Sequence, residues 1–404
     1  MIYFIILAVL ILLCYRYDIL GKKKDVNLWY RLMLLVFILL AGLRWRVGGD
    51  TPNYLYEYYY LTPNILHCTY EDFYRREPLF SLLNIIPKSI GCKFFVVQLI
   101  QALIVNTLIF KYIKRATAYP FAGLILYFFW IFVFLNFEEM RAGISVAISL
   151  YANDYVINGK RGKGLLLYIL AALFHYSAIL LILTPILTFL KVDGKIVLVL
   201  IASFLIGYAV QLSMGDYLSL FEVDDQIQGR MQYYTESDVF FSQGLNWKGF
   251  LGRKFPYIFY VLFSFYYIKK HSDNSKAQGL LKYQPFVVLG LMWMMISIPV
   301  PLCSRYTRFY EIYFILFFSY SFIELIKRNG SLTKRLAFAR AFLLYLPFFY
   351  LIGSGYFYMQ TVMVPTPFVT YRKYIPYRSI FNKVDNREFE KQCDWKTKAK
   401  DNEY

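Results

Sequence analysis

Residues 164–190 read GLLLYILAALFHYSAILLILTPILTFL, an apolar stretch that His175 interrupts near its middle. This stretch either crosses a membrane once or folds back at His175 as a hairpin, and the choice decides on which side every later loop lies. Basic loops of membrane proteins lie in the cytoplasm. The hairpin places six basic loops there, with 4, 3, 3, 2, 4 and 5 Lys or Arg residues in 16–28, 111–118, 158–163, 191–195, 269–283 and 327–340. A single span would move the last three loops outside, so the pattern predicts the hairpin.

The composition is that of a polytopic membrane protein. Of the 404 residues, 58% are hydrophobic and 17% are charged, whereas soluble domains carry about 25% charged residues. The net charge of +18 lies mainly in the short basic loops, so it reflects topology rather than nucleic-acid binding. The five cysteines show no metal-binding spacing, although Cys68 and Cys92 share one predicted external loop and could pair.

The apolar runs predict an all-α fold with about 12 transmembrane helices (11 to 13), since a spanning helix needs roughly 20 apolar residues. The first run has no basic leading region and no cleavage site, so we expect an uncleaved first helix. The predicted spans are 2–16, 28–44, 93–112, 119–136, 142–157, 164–174, 176–190, 195–213, 255–269, 284–301, 306–326 and 338–359.

One apolar run, Leu79 to Ile90, is predicted not to cross the membrane. It is short and is interrupted by Pro87 and Lys88, which indicates a re-entrant or interfacial helix. The side of the charged tail stays open, because its nine Lys or Arg residues favour the cytoplasm whereas counting spans places it outside. The predicted parts are a membrane domain over 1–365, with external loops 46–92 and 214–255, and a tail over 366–404.

An anion-binding pattern follows the second predicted helix: Arg44-Trp45-Arg46-Val47-Gly48-Gly49-Asp50-Thr51. Planar guanidinium groups bind phosphate oxygens through paired hydrogen bonds, and the two glycines permit a turn around an anion. In a chain that is almost all membrane, the expected anion is a lipid-linked phosphate. The alternative is that both arginines merely extend from a helix end to the interface. Asp50 is either a general base or the ion-pair partner of Arg46.

Further polar residues are predicted on the same external face, where charge at a membrane is costly and usually functional. Tyr54 and Tyr58 either stack on sugar rings or belong to an aromatic belt. Glu77 either binds a sugar hydroxyl or complements the dipole of the helix that it precedes. Arg141 either contacts substrate or pairs with Glu138, three residues earlier.

His175 lies at the predicted apex of the hairpin. It is either a hydrogen-bonded structural residue or a residue that moves a proton, for which imidazole is well suited near neutral pH. Arg305 and Arg308, one helical turn apart, favour a phosphate clamp, although Glu311 offers Arg308 an internal partner. The sequence has no P-loop, Rossmann glycine fingerprint, HExxH motif, nucleophile elbow or CxxC pair, so ATP-driven transport and zinc or serine hydrolysis have no support.

At these residues the chain resembles the EpsG family of bacterial membrane proteins, relatives of the Wzy-type O-antigen and capsule polymerases. The resemblance covers most of the chain in order, and Ala142 departs from the Gln that such families usually have after this arginine. The matching motifs are Arg44-Trp-Arg46-Val-Gly-Gly-Asp50 with Tyr54, Glu77-Pro-Leu-Phe80, Arg141-Ala-Gly-Ile-Ser145, the turn Gly159-Lys-Arg161, Phe174-His175-Tyr-Ser177-Ala178, Arg305 and Arg308 before Tyr310, and Ile375-Pro-Tyr-Arg378-Ser-Ile-Phe381.

The resemblance implies a multi-pass glycosyltransferase of the bacterial inner (cytoplasmic) membrane that makes an exopolysaccharide, capsule or O-antigen. It would join oligosaccharide repeats carried on undecaprenyl diphosphate at the outer face, without a metal or cofactor. A flippase and a chain-length regulator are the expected protein partners. The alternative is a flippase or transporter of the same lipid-linked glycan, which needs charges along a path open to both faces.

The implied roles fall into three groups. The expected base is His175, Asp50 or Glu139, which would accept the proton of a sugar hydroxyl. The residues expected to bind the diphosphate are Arg44, Arg46, Arg141, Arg305 and Arg308. The residues expected to bind glycan are Tyr54, Tyr58, Glu77 and Arg253.

Overall fold

A computed structural model describes residues 2–62, 64–69, 77–188, 195–220, 255–271, 274–328, 353, 362–366, 369–372, 374–375 and 377–382. Arg253, which is predicted to bind glycan, lies outside these residues. So do nearly all of the helix predicted over 338–359, most of the loop 214–255 and the tail beyond residue 382. The chain divides into two compact units, one made of 1–182 and 322–404 and the other of 183–321.

The first unit is a set of packed helices. Pro78 and Pro120 each occupy the first turn of a helix, where the missing N–H has no intrahelical partner to lose. The helices are α1 (Ile2–Leu13), α2 (Val26–Gly42), α3 (Thr51–Tyr60), α4 (Pro78–Ser89), α5 (Phe94–Ala116), α6 (Pro120–Tyr127), α7 (Met140–Ile157) and α8 (Arg161–Phe174).

The helices of the first unit pack on one another in sequence, and π-helical segments follow two of them. Helix α2 packs on α5, α5 on α7, α7 on α8 and α1 on α6, while α4 contacts both α5 and α8. The π-helical segments are Cys14–Ile19, which follows α1, and Phe128–Phe132 and Phe134–Glu138, which follow α6. Short 3₁₀ helices lie at Ile65–His67 and Tyr176–Leu183.

Glycines fix the start of α7 and its packing against α8. Gly159 turns the chain between the two helices with φ of +76°, which glycine adopts without strain. A Cβ on Gly164 would lie 2.7 Å from Val156 Cγ2, so only glycine lets the helices approach this closely. A Cβ on Gly143 would lie 2.1 Å from the carbonyl oxygen of Leu135. The first turn of α7 is therefore held tightly against the preceding π-helical segment.

The predicted interruption at His175 is confirmed. Helix α8 ends at Phe174, His175 is extended with φ of −157° and ψ of 114°, and a 3₁₀ helix starts at Tyr176. The extended residue leaves its side chain at a helix end rather than along a helix face. That the two segments form a hairpin within a membrane stays a prediction.

The second unit contains shorter and bent helices. Helix α10 packs on α13, where a Cβ on Gly207 would lie 2.8 Å from the carbonyl oxygen of Ile296. Ser321 Oγ donates a 2.8 Å hydrogen bond to Ser264 Oγ, which joins α15 to α11. The helices are α9 (Thr184–Leu187), α10 (Ile196–Leu220), α11 (Phe255–Lys270), α12 (Ser275–Leu281), α13 (Gln284–Ile296), α14 (Ser304–Thr307) and α15 (Glu311–Arg328), of which α15 continues into the first unit, and a 3₁₀ turn occupies Pro301–Cys303.

The described residues are mainly helical, and their apolar helices are consistent with a membrane protein. Two of these helices, Ile2–Ile19 and Phe94–Ala116, are long and apolar enough to cross a membrane. The number rises to four if two bent pairs each count as one span: Ser275–Leu281 with Gln284–Ile296, bent by 49°, and Pro301–Thr307 with Glu311–Lys327, bent by 62°. The predicted count of about 12 is not confirmed.

Three smaller features bear on the sequence predictions. Besides the helices, the described residues include a short antiparallel pair, β1 (Val362–Thr366) and β2 (Val369–Arg372), whose sequence is rich in the β-branched residues that strands favour. The structure contains no disulfide between Cys68 and Cys92, the pairing that the sequence left open. The predicted short segment at 79–90 is present as α4, with Pro87 inside it.

We expect Gly143→Ala to destabilise the protein, because the added Cβ would collide with the backbone oxygen of Leu135. Overpacking of this kind costs about 1–3 kcal/mol. Gly162→Ala is the matched control, since a Cβ on Gly162 meets nothing within 4 Å. Thermal unfolding in detergent should show a lower midpoint for Gly143→Ala and no loss for Gly162→Ala. Equal midpoints for the two variants would contradict this packing of α7.

Candidate functional site

The carboxylate of Glu77 is the centre of a cluster that joins three distant parts of the first unit. Its Oε2 accepts a 2.6 Å hydrogen bond from Arg141 Nη1, and its Oε1 lies 2.9 Å from His175 Nδ1. The backbone N–H of Tyr176 donates to the same Oε1 at 3.2 Å. Glu77 is only 2% exposed. One buried carboxylate therefore holds the residue before α4, the first turn of α7 and the break after α8.

The local sequence explains why this side chain points across the unit. Glu77 is the residue before Pro78, and its backbone carbonyl accepts the Ser81 N–H at 2.9 Å as α4 begins. Its side chain makes no capping hydrogen bond to its own helix. One predicted alternative was that the Glu77 carboxylate complements the dipole of α4. The carboxylate instead contacts Arg141 and His175.

The partners of Glu77 keep it ionised. Burial of the carboxyl raises its pKa, but the hydrogen bond from His175 and the charge of Arg141 outweigh this effect and lower the pKa from 4.5 to about 2. An ionised carboxylate only accepts hydrogen bonds. Glu77 therefore cannot exchange a proton near neutral pH, and it constrains the protonation of the imidazole beside it.

His175 is oriented by this carboxylate. A neutral imidazole carries one N–H and one acceptor nitrogen, so a carboxylate beside Nδ1 holds the proton there and leaves Nε2 as the acceptor. Among the described residues Nε2 has no hydrogen-bond partner, and the side chain is 16% exposed. The ring can therefore accept a proton at Nε2.

Arg141 is the cation of the cluster. It donates a hydrogen bond to Glu77 and another to the Tyr54 side chain, so the predicted pairing with Glu138 is not the one formed. Its Nε is buried and has no hydrogen-bond partner within the described part of the chain. The guanidinium therefore retains an unused donor.

A second buried carboxylate, Glu138, shapes the loop that the sequence singled out. Its Oε1 accepts the Gly49 N–H at 2.8 Å, and its Oε2 accepts the Asp50 N–H at 3.1 Å. The Tyr374 hydroxyl donates to the same Oε1. The loop backbone is thus bound by an anion that belongs to the protein.

The conformation of this loop depends on glycine. Gly48 has φ of +113°, and a Cβ there would lie 2.8 Å from the carbonyl oxygen of Phe137. Arg46 has φ of +50°, and its guanidinium lies 5.2 Å from the Trp45 ring centroid. The turn therefore brings the loop against the end of the π-helical segment Phe134–Glu138.

Part of the C-terminal tail completes the loop. The Trp45 N–H donates to the Arg378 carbonyl at 2.9 Å, and the Ile380 N–H donates to the Leu43 carbonyl at 3.0 Å. Tyr374 is fully buried against Glu138. The described tail residues, 374–375 and 377–382, therefore pack with the Arg44 loop in the first unit.

The family model of the EpsG family matches residues 27–379, nearly the whole chain. The chain belongs to the EpsG family. No curated protein and no solved structure matches it. The family is associated with polysaccharide polymerases, so a polymerase-like function is the one that the match supports.

Within this EpsG-family chain, Arg44 is a core residue. It is 1% exposed; its Nη1 donates to the Ala41 carbonyl at 2.5 Å, its Nε to the Val47 carbonyl at 3.2 Å and its Nη2 to Met140 Sδ at 3.1 Å. Its guanidinium also lies 5.0 Å from the Phe137 ring centroid. These contacts favour a structural role, and its predicted binding of diphosphate stays untested.

Tyr54 and Tyr58 also lie inside the protein. They pack in a hydrophobic cluster with Phe80 and Phe94, and the Tyr58 hydroxyl donates to the Cys92 carbonyl at 2.6 Å. Tyr54 and Tyr58 are 6% and 3% exposed, so neither ring presents a face on which a sugar could stack. Tyr59, on the same helix, is 60% exposed and is the better placed for stacking.

The remaining predicted residues are partly buried. Asp50 precedes α3 without capping it, and Glu139 lies at the break before α7. In the second unit Arg308 Nη1 donates to both carboxylate oxygens of Glu311, at 3.0 and 3.1 Å, as the internal alternative anticipated. Arg305 belongs to α14. Among the described residues, no group of three or more His, Cys, Asp or Glu side chains could hold a metal ion.

Sequence reasoning missed two residues that organise this EpsG-family site. Glu138 was considered only as a partner of Arg141, and Tyr374 was not singled out. Their interactions join residues 236 positions apart, which no local spacing reveals. The Glu77 contacts, 64 and 98 positions apart, were equally invisible.

The contribution of Glu77 to stability should depend on pH. Because its folded-state pKa is lowered from 4.5 to about 2, its stabilisation is fully present above pH 4.5 and is lost as the pH falls towards 2. The measurement is the thermal midpoint in detergent of the native protein and of Glu77→Gln. Their difference should be constant from pH 7 to pH 5.5 and should shrink below about pH 4.5. A difference that stays constant to pH 3 would show that Glu77 is not held ionised.

Proposed function

We propose that this protein polymerises oligosaccharide repeats carried on undecaprenyl diphosphate into an exopolysaccharide, capsule or O-antigen. The match to the EpsG family supports a polysaccharide polymerase-like function. The observation that carries the specific reaction is the cluster in which one carboxylate binds both an imidazole and a guanidinium. In a glycosyl transfer from a phosphate-linked donor, an imidazole can act as the general base and a guanidinium can stabilise the leaving diphosphate.

The proposed reaction joins a hydroxyl of one repeat to the anomeric carbon of another. The hydroxyl oxygen forms the new C–O bond, and its proton passes to His175 Nε2. The bond between the anomeric carbon and the diphosphate oxygen breaks, and its electron pair leaves with undecaprenyl diphosphate. The imidazolium then returns its proton to solvent. General-base help of this kind contributes about 100-fold to 10⁴-fold in rate.

The leaving group gains negative charge as its bond to the sugar breaks, so fixed cations stabilise the transition state more than the substrate. Arg141 is suited to this role, because its side chain is 21% exposed and binds the same carboxylate as His175. Arg46, on the neighbouring loop, is the second proposed cation. For Arg305 and Arg308 a diphosphate role remains a proposal from the sequence.

The proposal includes the placement of the chain. About 12 crossings of the bacterial inner membrane would put the basic loops in the cytoplasm and the Arg44 loop, Glu77 and His175 outside. The lipid diphosphate would supply the energy, which agrees with a sequence that has no nucleotide-binding motif. A flippase and a chain-length regulator are the partners that such a polymerase would need.

The test is to deplete the protein and analyse the lipid-linked glycan that accumulates. A polymerase predicts single repeats on undecaprenyl diphosphate at the outer face, where an externally added glycosidase can reach them in intact cells. Single repeats that are reachable only after the cells are opened would identify a flippase instead. Unchanged polymer length and amount would reject both functions.

A further inference from the structure

Glu77 binds two side chains of different chemistry with its two oxygens, and it was expected from the sequence to bind glycan. We infer that Glu77 is instead a positioning residue, which fixes the His175 tautomer and holds Arg141 beside it. This inference rests on the proposed function for its role in turnover, whereas the tautomer itself is a property of the folded protein.

The surroundings of Glu77 leave it no other role. The residue is 2% exposed, and its two oxygens accept hydrogen bonds from Arg141, His175 and the Tyr176 backbone. Almost complete burial keeps a sugar hydroxyl away from this carboxylate. Because the carboxylate is also ionised near neutral pH, it can act neither as a general acid nor as a proton shuttle.

The contact with Nδ1 determines which nitrogen of His175 can react. An isolated imidazole exchanges between two neutral tautomers, and only the one protonated on Nδ1 has its lone pair on Nε2. The ionised carboxylate of Glu77 selects that tautomer, because it accepts a hydrogen bond but cannot donate one. A glutamine in its place can do either, so the selection would be lost.

The other carboxylate oxygen, Oε2, binds the cation Arg141. Glu77 Oε2 and Oε1 fix Arg141 and His175 relative to each other, since both side chains bind one rigid planar group. The titratable and charged groups that the described contacts place around the imidazole are Glu77 from the start of α4, Arg141 from α7 and, through Arg141, Tyr54 from α3. A base and an anion-stabilising group at fixed separation are what an attack with departure of a diphosphate needs.

The tautomer can be measured without any substrate, from imidazole ¹⁵N shifts in histidine-labelled protein. The chain has three histidines, and His67→Gln leaves two signals. His271 is the internal reference, because its Nδ1 faces the Tyr267 carbonyl at 2.9 Å and must donate there. At pH 8 we expect His175 to be protonated on Nδ1 in the native protein and to become a tautomer mixture in Glu77→Gln, with His271 unchanged.

Kinetics of purified protein with lipid-linked repeat then test the role in turnover. Glu77→Gln should lower kcat about 100-fold while KM for the repeat changes by less than about threefold, as expected for a residue that acts through the base. Glu77→Asp keeps the charge and is the variant to use if Glu77→Gln does not fold. It should retain the Nδ1 tautomer of His175 and have a kcat between those of the native protein and Glu77→Gln. Glu57→Gln, on α3, is the matched carboxylate control.

The outcomes separate this inference from the proposed function. An Nε2-protonated His175 in the native protein, or an unchanged tautomer in Glu77→Gln, would overturn the positioning role. A normal kcat in Glu77→Gln with active native protein would overturn it as well and leave the polymerase proposal standing. A correct tautomer in a native protein that forms no polymer would instead reject the polymerase.

Discussion

The arrangement of the site depends on one buried carboxylate. Glu77 satisfies an arginine, a histidine and a backbone amide at once, and so ties together the residue before α4, the first turn of α7 and the end of α8. An unpaired charge in such an apolar setting would be costly, and removing one partner of a buried pair is strongly destabilising. This constraint holds the imidazole and the guanidinium on the same carboxylate, one oxygen for each side chain.

Glu138 performs a different task with the same chemistry. It binds the Gly49 and Asp50 amides and the Tyr374 hydroxyl, so it fixes the backbone of the Arg44 loop rather than another charge. The backbone bonds of Leu43 and Trp45 to the tail add a further support. The site thus has one carboxylate that orients reactive side chains and another that shapes the loop beside them.

The sequence identified the residues of this site better than the contacts between them. The break at His175 could be predicted because a lone histidine interrupts an apolar run, and the glycine turn before Asp50 because glycines mark unusual backbone. The partner of Arg141 was misjudged, because i, i+3 spacing reports only contacts within one helix. The burial of Arg44, Tyr54 and Tyr58 was equally beyond reach, since Arg and Tyr occur both at interfaces and in cores. The helix count depends on bends and breaks that hydropathy does not reveal.

The most direct test of the account is extension of purified lipid-linked repeat by the native protein and by His175→Gln between pH 5.5 and 8.5. Gln keeps a donor and an acceptor at similar reach but cannot take up the hydroxyl proton. The account predicts that His175→Gln turns over about 100-fold more slowly than the native protein at pH 8.5 while still binding substrate. It also predicts that native activity falls towards the acid end and that the difference between the two proteins narrows there. Near-normal turnover in His175→Gln, with an unchanged pH profile, would contradict the assignment of His175 as the base.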